Sequence, residues 1–134
     1  MDKLTSRKYF VKENAPVYFT YDMEKTTKWF ENVMGWFSEI DERNKKGQGL
    51  YGCVYSIPKN DQLSNISPFT GIHLFYGKPS SNMISFMCVE GIDEMRSYII
   101  KNGWDKVTEI KKEPWGGRTL VITTIDGSKI YCFE

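Results

Sequence analysis

The chain has 134 residues, and its 18 lysine and arginine residues nearly balance 17 aspartate and glutamate residues. A net charge near zero gives no field that attracts nucleic acid or an acidic membrane surface, so neither partner is predicted. No apolar run approaches the roughly 20 residues of a membrane span, and a chain of this length can bury one core. We therefore expect one soluble, cytoplasmic domain over residues 1–134.

The three cysteines agree with a reducing compartment. Cys53, Cys88 and Cys132 form no Cys-x-x-Cys pair, and each lies in an apolar run with strand composition. A buried, reduced thiol is the expected state in such a run. The sequence therefore predicts three buried thiols and no disulfide.

The first predicted elements are a strand and a helix. Residues 16–20 are β-branched and aromatic, which predicts a strand. Asp22 stands where a helix N-cap is expected, and Gly35 supplies the left-handed residue that ends a helix. Between them, apolar residues recur at helical spacing at Met23, Phe30 and Met34.

Three more strands complete the first half of the chain. Residues 36–43 and 49–57 have strand composition and are joined by a polar turn, which predicts a hairpin. Residues 58–68 are rich in turn formers and lack periodicity, whereas residues 71–76 return to strand composition. The order is βαβββ, in a module of about residues 14–76.

The second half repeats this order. Gly35-Trp36 and Gly103-Trp104 are 68 residues apart, and an acidic residue precedes each glycine by thirteen positions. Ile92, Met95 and Ile99 form a helix face that ends at Gly103. Strands are predicted at residues 83–89, 106–111, 118–125 and 129–133. The chain therefore reads as α+β, with a second βαβββ module over about residues 82–134.

The closing segment carries the most specific motif. Pro114-Trp115-Gly116, a strand and then Asp126-Gly127 resemble the closing pattern of the glyoxalase/bleomycin-resistance family, in the vicinal oxygen chelate superfamily. Thr124 departs from that pattern, which often has an acidic residue there. The resemblance implies two concave mixed sheets whose hollow faces form a pocket, and it implies a homodimer.

Enzymes of the resembled family hold a divalent metal on the first and last strands of each module. Carried onto this sequence, those positions are Ala15, Met83, His73 and Tyr131. Ile72 replaces His73 if the alignment slips by one residue. Only His73 is an ordinary ligand, whereas such a site needs about three N or O side chains. The sequence therefore predicts no metal and no other cofactor, unless Glu13 or another carboxylate moves into place.

Aromatic residues make up 15% of the chain, more than its core requires. Trp115 is flanked by Pro114 and Gly116-Gly117, which indicates a loop over the mouth of a cavity. His73 is either a packed, hydrogen-bonded strand residue or a polar anchor for a bound molecule. The candidate ligand-binding residues are His73, Tyr131, Trp115, Tyr51, Tyr55 and Phe75.

The function favoured by these residues is metal-independent binding of a small organic molecule, planar or aromatic, by a sequestering, resistance or effector-binding protein. No catalytic residue is assigned. The alternative is a glyoxalase-type lyase, isomerase or dioxygenase with an atypical metal site. A domain kept for dimerisation alone is disfavoured, because the aromatic side chains would then have no role.

Overall fold

In a computed structural model, which describes residues 8, 9, 11–56 and 70–134, the chain forms two four-stranded sheets and two helices. The first module comprises β1 (Val17–Thr20), α1 (Met23–Trp29) with a π-helical turn (Phe30–Met34), β2 (Phe37–Arg43), β3 (Gly49–Tyr55) and β4 (Gly71–Tyr76). The second comprises β5 (Ile84–Cys88), α2 (Ile92–Lys101), β6 (Lys111–Lys112), β7 (Arg118–Thr123) and β8 (Lys129–Phe133).

The two sheets have the same topology. Their strand orders are β1-β4-β3-β2 and β5-β8-β7-β6, with the first strand of each module parallel to the last and the other pairs antiparallel. The prediction of two βαβββ modules is therefore confirmed. The predicted turn region at residues 58–68 lies outside the described residues.

Strand pairing settles the alignment of the two modules. Val17 pairs with His73, and Phe86 pairs with Tyr131. Ile72 is completely buried, whereas His73 and Tyr131 share the open face of their sheets. His73 is thus the equivalent of Tyr131, and the alternative at Ile72 is wrong. The same pairing makes Ile84, rather than Met83, the equivalent of Ala15.

Both helices end at the repeated glycine. Asp22 caps α1, since its side chain accepts a hydrogen bond from the Lys25 N–H at 3.1 Å. Gly35 and Gly103 have φ angles of 71° and 88°. A Cβ atom on Gly35 would lie 2.7 Å from the Tyr98 hydroxyl, so close packing against α2 as well as backbone conformation favours glycine here.

The core lies between the helices and the sheets and is shared by both modules. Trp29 meets Trp104 edge to face with ring centroids 5.2 Å apart. The largest side chains that are almost completely buried come from both halves: Phe30, Ile72, Leu74, Ile92, Ile99, Leu120, Ile122 and Ile130. Burial of these apolar faces holds the helices against the sheets.

Buried polar groups also join the modules. The Tyr18 hydroxyl donates to Ser85 Oγ at 2.8 Å, which links β1 to β5. Asp126, in the turn before β8, accepts hydrogen bonds from the Thr20 and Thr26 hydroxyls. The Asp-Gly turn predicted from the sequence therefore also contacts the first module.

The sequence and the structure differ in two respects. The predicted strand at residues 106–111 is reduced to the two-residue β6 and an isolated bridge between Val107 and Ile122. Cys88 is exposed, because it lies on the open face of β5, so the prediction of three buried thiols is wrong for that residue. No helix in the described part of the chain is long and apolar enough to cross a membrane.

We expect one thiol to react much faster than the other two. Cys88 is exposed, whereas burial raises the pKa of Cys53 and raises that of Cys132 to about 12. A buried thiol remains protonated at pH 8 and is a poor nucleophile. Labelling of native protein with a thiol reagent at pH 8 should give one fast equivalent, which is absent in Cys88→Ser. Three fast equivalents in a folded sample would contradict this burial.

Candidate ligand-binding site

The open face of the first sheet brings together three of the predicted residues. Tyr51 pairs with Phe75 across β3 and β4, and their ring centroids are 4.9 Å apart. The Tyr51 and His73 rings stack with centroids 5.9 Å apart. We call Tyr51, His73 and Phe75 the first-sheet surface. Phe75 is 40% exposed, so a bound molecule can reach an aromatic ring here.

A hydrogen-bonded chain fixes the polar groups of this surface. Burial, followed by the neighbouring Cys53, raises the pKa of Tyr51, so its hydroxyl stays protonated. Tyr51 Oη lies 2.8 Å from His73 Nδ1, and His73 Nε2 lies 3.1 Å from Glu13 Oε1. A tyrosine that donates to Nδ1 leaves the proton of neutral imidazole on Nε2, directed at the carboxylate. Glu13 is thus a partner of His73.

Tyr55 lies at the end of the same face. It pairs with Gly71, and its ring meets Phe37 with centroids 5.7 Å apart. Burial raises the pKa of Tyr55 to about 12, so its hydroxyl is also protonated at neutral pH. Tyr55 therefore extends the aromatic face towards the start of β4.

The open face of the second sheet holds Tyr131 beside two phenylalanines. Phe86 stacks on Tyr131 with centroids 5.7 Å apart and on Phe133 at 6.1 Å. Phe86, Tyr131 and Phe133 are the second-sheet surface. Phe86 is 63% exposed and was not predicted as a site residue. No signal in the sequence identifies it, because apolar residues occupy both faces of residues 83–89.

A cavity of about 720 Å³ lies between the modules. Ala15, Pro16 and Gly71 line it from the first module, and residues 84–90 line it from the second. Trp36 and Met95 also contribute. None of the six predicted ligand-binding residues is among the described residues that line it. Two of them contact residues that do line it, since Tyr131 stacks on Phe86 and Tyr55 pairs with Gly71.

Comparison with solved structures places this geometry in a family. The crystal structure of a glyoxalase-related enzyme from Clostridium phytofermentans is 45% identical, with a TM-score of 0.87 over 96% of this chain and 98% of that one. The chain belongs to the glyoxalase/bleomycin resistance protein family. The family model for the bleomycin resistance protein domain matches residues 15–77. A search of curated proteins gives no match.

More distantly similar structures share the fold. A superfamily member from Sphaerobacter thermophilus is 18% identical, with a TM-score of 0.71 over 93% of this chain and 98% of that one. A bleomycin-binding protein from Streptomyces verticillus, complexed with copper(II)-bleomycin, is 12% identical, with a TM-score of 0.66 over 94% and 97%. Identities this low show the fold alone.

Trp115 lies at the end of the second-sheet surface, outside the lining of the cavity. It occupies the turn between β6 and β7 and is 70% exposed. Gly116 and Gly117 have φ angles of 100° and 83°, and a Cβ atom on Gly117 would lie 2.5 Å from the Phe133 ring. The turn that carries Trp115 therefore packs closely against Phe133 through Gly117.

The metal positions of glyoxalase/bleomycin resistance enzymes do not fit a divalent ion in this chain. Ala15 and either Met83 or Ile84 bring no oxygen or nitrogen ligand, and Tyr131 is stacked on Phe86. Among the described residues, no three histidine, cysteine, aspartate or glutamate side chains are grouped to hold a metal. His73 and Glu13 supply two candidate ligands, fewer than the usual three.

Proposed function

We propose that the protein binds a small organic molecule, planar or aromatic, without a metal, and that it sequesters this molecule or senses it as an effector rather than transforming it. The observation that carries the proposal is the 720 Å³ cavity beside two exposed aromatic surfaces. Cavities of this volume accommodate drug-sized ligands, and a few polar groups among apolar ones orient them.

The proposed ligand would occupy the cavity and extend over the neighbouring rings. Phe86 offers an exposed ring at the cavity wall, with Tyr131 stacked behind it. On the side formed by the first module, Tyr55 lies on the same sheet face as Tyr51, Phe75 and His73. His73 would act as the polar anchor, and Trp115 would cover the end of the second-sheet surface.

We also propose that the protein forms a homodimer. Ile84, Phe86 and Phe75 are large apolar side chains with exposures of 61%, 63% and 40% on the open faces of the sheets. Ile84 and Phe86 are alternate residues of β5, and an exposed apolar patch of this kind marks a binding surface. A second copy placed over these faces would enclose the ligand. We further propose a cytoplasmic location, where three cysteines that form no disulfide with one another would stay reduced.

The relatives support small-molecule binding in this fold, since one was solved with copper(II)-bleomycin. We do not propose bleomycin as the ligand here. A cationic drug favours an acidic cleft, whereas this chain has a formal net charge of +1.

A metal-dependent lyase, isomerase or dioxygenase is the second candidate. It is favoured by the pair His73–Glu13, with Nε2 and Oε1 3.1 Å apart, and by the 45% identity to a glyoxalase-related enzyme. To hold a metal ion, His73 and Glu13 would need at least one further ligand from a residue that does not lie beside them in this structure.

Metal content and ligand binding together distinguish the two candidates. We expect purified protein to contain no stoichiometric Zn, Ni, Fe or Mn, because the side chains at the inherited positions are poor ligands for these ions. After chelator treatment, a screen of planar aromatic compounds should still find ligands that quench tryptophan fluorescence and raise the melting temperature. About one metal per chain, lost in His73→Ala, together with glyoxalase or dioxygenase activity, would establish the enzyme instead.

A further inference from the structure

Strand β5 has a free edge. It pairs with β8 on one side and is the last strand of its sheet. The Met83 carbonyl accepts from Lys129 N–H, and Val89 N–H donates to the Phe133 carbonyl, so the odd-numbered residues face β8. In a parallel ladder the alternate residues point their backbone groups the other way. Ile84, Phe86 and Cys88 therefore present three N–H donors and three carbonyl acceptors away from β8.

These outward groups have no hydrogen-bond partner in the part of the chain that the structure describes. Their edge also lacks the usual protection. Edge strands normally carry charges or proline that prevent further pairing. The edges at β2 and β6 follow this rule, since β2 contains Glu39 and Asp41 and β6 is formed by two lysines. The other two edge strands do not: β5 reads ISFMC and β1 reads VYFT, with no charge and no proline in either.

The free edge borders the cavity. Residues 84–90 all line it, and Ala15, Pro16 and Gly71 form part of the facing wall. Five extended residues span roughly 16 Å, the length over which β5 offers its outward groups. The volume of about 720 Å³ is of the size that a short extended molecule requires.

We infer that this cavity takes the backbone of an extended peptide-like ligand, which adds to β5 as a further strand. The inference rests on the proposed function and names the chemical class of its ligand. Alternating amide N–H and C=O groups are the chemistry that matches the three donors and three acceptors of Ile84, Phe86 and Cys88. An aromatic ring on such a ligand would stack on Phe86, which is 63% exposed.

The direction of the added strand follows from Glu90. Glu90 lies just beyond the carboxyl end of β5 and lines the cavity. Antiparallel addition places the amino end of the ligand beside this carboxylate, where opposite charges attract. Antiparallel pairing is also slightly more stable per residue than parallel pairing. The ligand therefore carries a free amine at that end.

The probe is the amidated peptide Thr-Phe-Thr-Phe-Thr with a free amino terminus, titrated into the intact protein by calorimetry. In an antiparallel ladder, the ligand residue whose N–H and C=O bond to Phe86 has its side chain on the same face of the sheet as the Phe86 ring. N-methylation of both phenylalanines should therefore weaken binding at least tenfold. N-methylation of the second and third threonines also removes two N–H donors, but these donors point away from β5. This change should alter the affinity less than threefold. Acetylation of the amino terminus should weaken binding severalfold.

A matched pair of variants tests the protein side. Cys88→Pro removes an outward N–H without touching the ladder to β8, which an edge position tolerates. Cys88→Ser retains the N–H. We expect the peptide to bind severalfold more weakly to Cys88→Pro and with unchanged affinity to Cys88→Ser. In the wild-type protein, peptide addition should shift the amide NMR signals of residues 84, 86 and 88. If Cys88→Pro does not fold, the two methylated peptides still decide the question.

Three results would overturn the inference. Equal binding of the two methylated peptides would show that no ladder forms. If planar compounds bind and the peptide does not, the peptide class is wrong and the proposed function stands. If neither planar compounds nor the peptide bind, both the peptide class and the proposed function are wrong. Protection of the Ile84, Phe86 and Cys88 amides that increases with protein concentration, without peptide, would assign the edge to a second copy of the chain.

Discussion

Replacing Trp36 by alanine should lower the free energy of unfolding by about 3–5 kcal/mol, the usual cost of removing a buried aromatic side chain. Trp36 is 8% exposed and stacks on Phe30, with ring centroids 5.5 Å apart and an interplanar angle of 17°. Phe30 is completely buried, so the truncation opens a cavity against the centre of the core. Urea unfolding monitored by circular dichroism measures the change.

The repeat supplies the control for this experiment. Trp104 follows the equivalent glycine but is only partly buried, and its indole N–H donates to the Thr123 carbonyl at 2.9 Å. We expect Trp104→Ala to cost less than Trp36→Ala, and Trp36→Phe to retain most of the stability. Because Trp36 also lines the cavity, its replacement should weaken ligand binding too. An unchanged unfolding midpoint in Trp36→Ala would show that the ring is not part of the core.

Trp115→Ala should have the opposite profile, with ligand binding weakened tenfold or more and thermal stability nearly unchanged. Trp115 is 70% exposed on a turn, so the folded state loses little packing when it is truncated. Stacking of a planar group on an aromatic side chain contributes about 1–3 kcal/mol by analogy with base stacking, which corresponds to tenfold or more at the upper part of that range. Calorimetric titration of a compound from the screen gives the affinity, and a melting curve gives the stability.

Phe86→Ala is the companion variant for Trp115→Ala. Phe86 lines the cavity, whereas Trp115 lies outside its lining, on the turn whose Gly117 packs against Phe133. Weaker binding in both variants supports a ligand that extends from the cavity over the second-sheet surface. Weaker binding in Phe86→Ala alone would confine the ligand to the cavity and remove Trp115 from the site. Unfolding of Trp115→Ala would place that side chain in the core.

The duplicated architecture was predictable because its signals are local. Gly35 and Gly103 end the helices with positive φ angles, and Asp22 caps α1 through its own side chain. Each of these features depends on a residue type that the backbone requires at that point. Repetition of the pattern then gives two modules with the same strand order.

The faces of β5 were not predictable in the same way. Residues 83–89 are apolar on both faces, so the pattern does not show which side is buried. Pairing with β8 decides it, and it exposes Phe86 and Cys88 while burying Ser85. The alignment of the repeat differs by one residue between the helix and this strand, and one residue is enough to reverse the faces of a strand.

Three of the candidate site residues lie together because they share one strand pair. Tyr51, His73 and Phe75 come together because β3 and β4 are neighbours and alternate side chains face the same side. The cavity itself depends on how the two modules pack, since residues 15 and 16 meet residues 84–90 there. No sequence spacing encodes that contact, and none of the six predicted residues is among the described residues that line the cavity.

The hydrogen bonds of Asp126 have a consequence for the evolution of the duplicated chain. Thr20 and Thr26 are buried hydroxyls in one half, and their acceptor is a turn residue of the other half. A half expressed by itself would keep the 2.8 Å hydrogen bond between the two hydroxyls but would lose their charged acceptor, and a hydrogen bond to a charged group contributes about 1.5–3 kcal/mol. The copies have thus become mutually dependent parts, and a substitution at Asp126 alters the stability of a helix whose sequence ends more than ninety residues earlier.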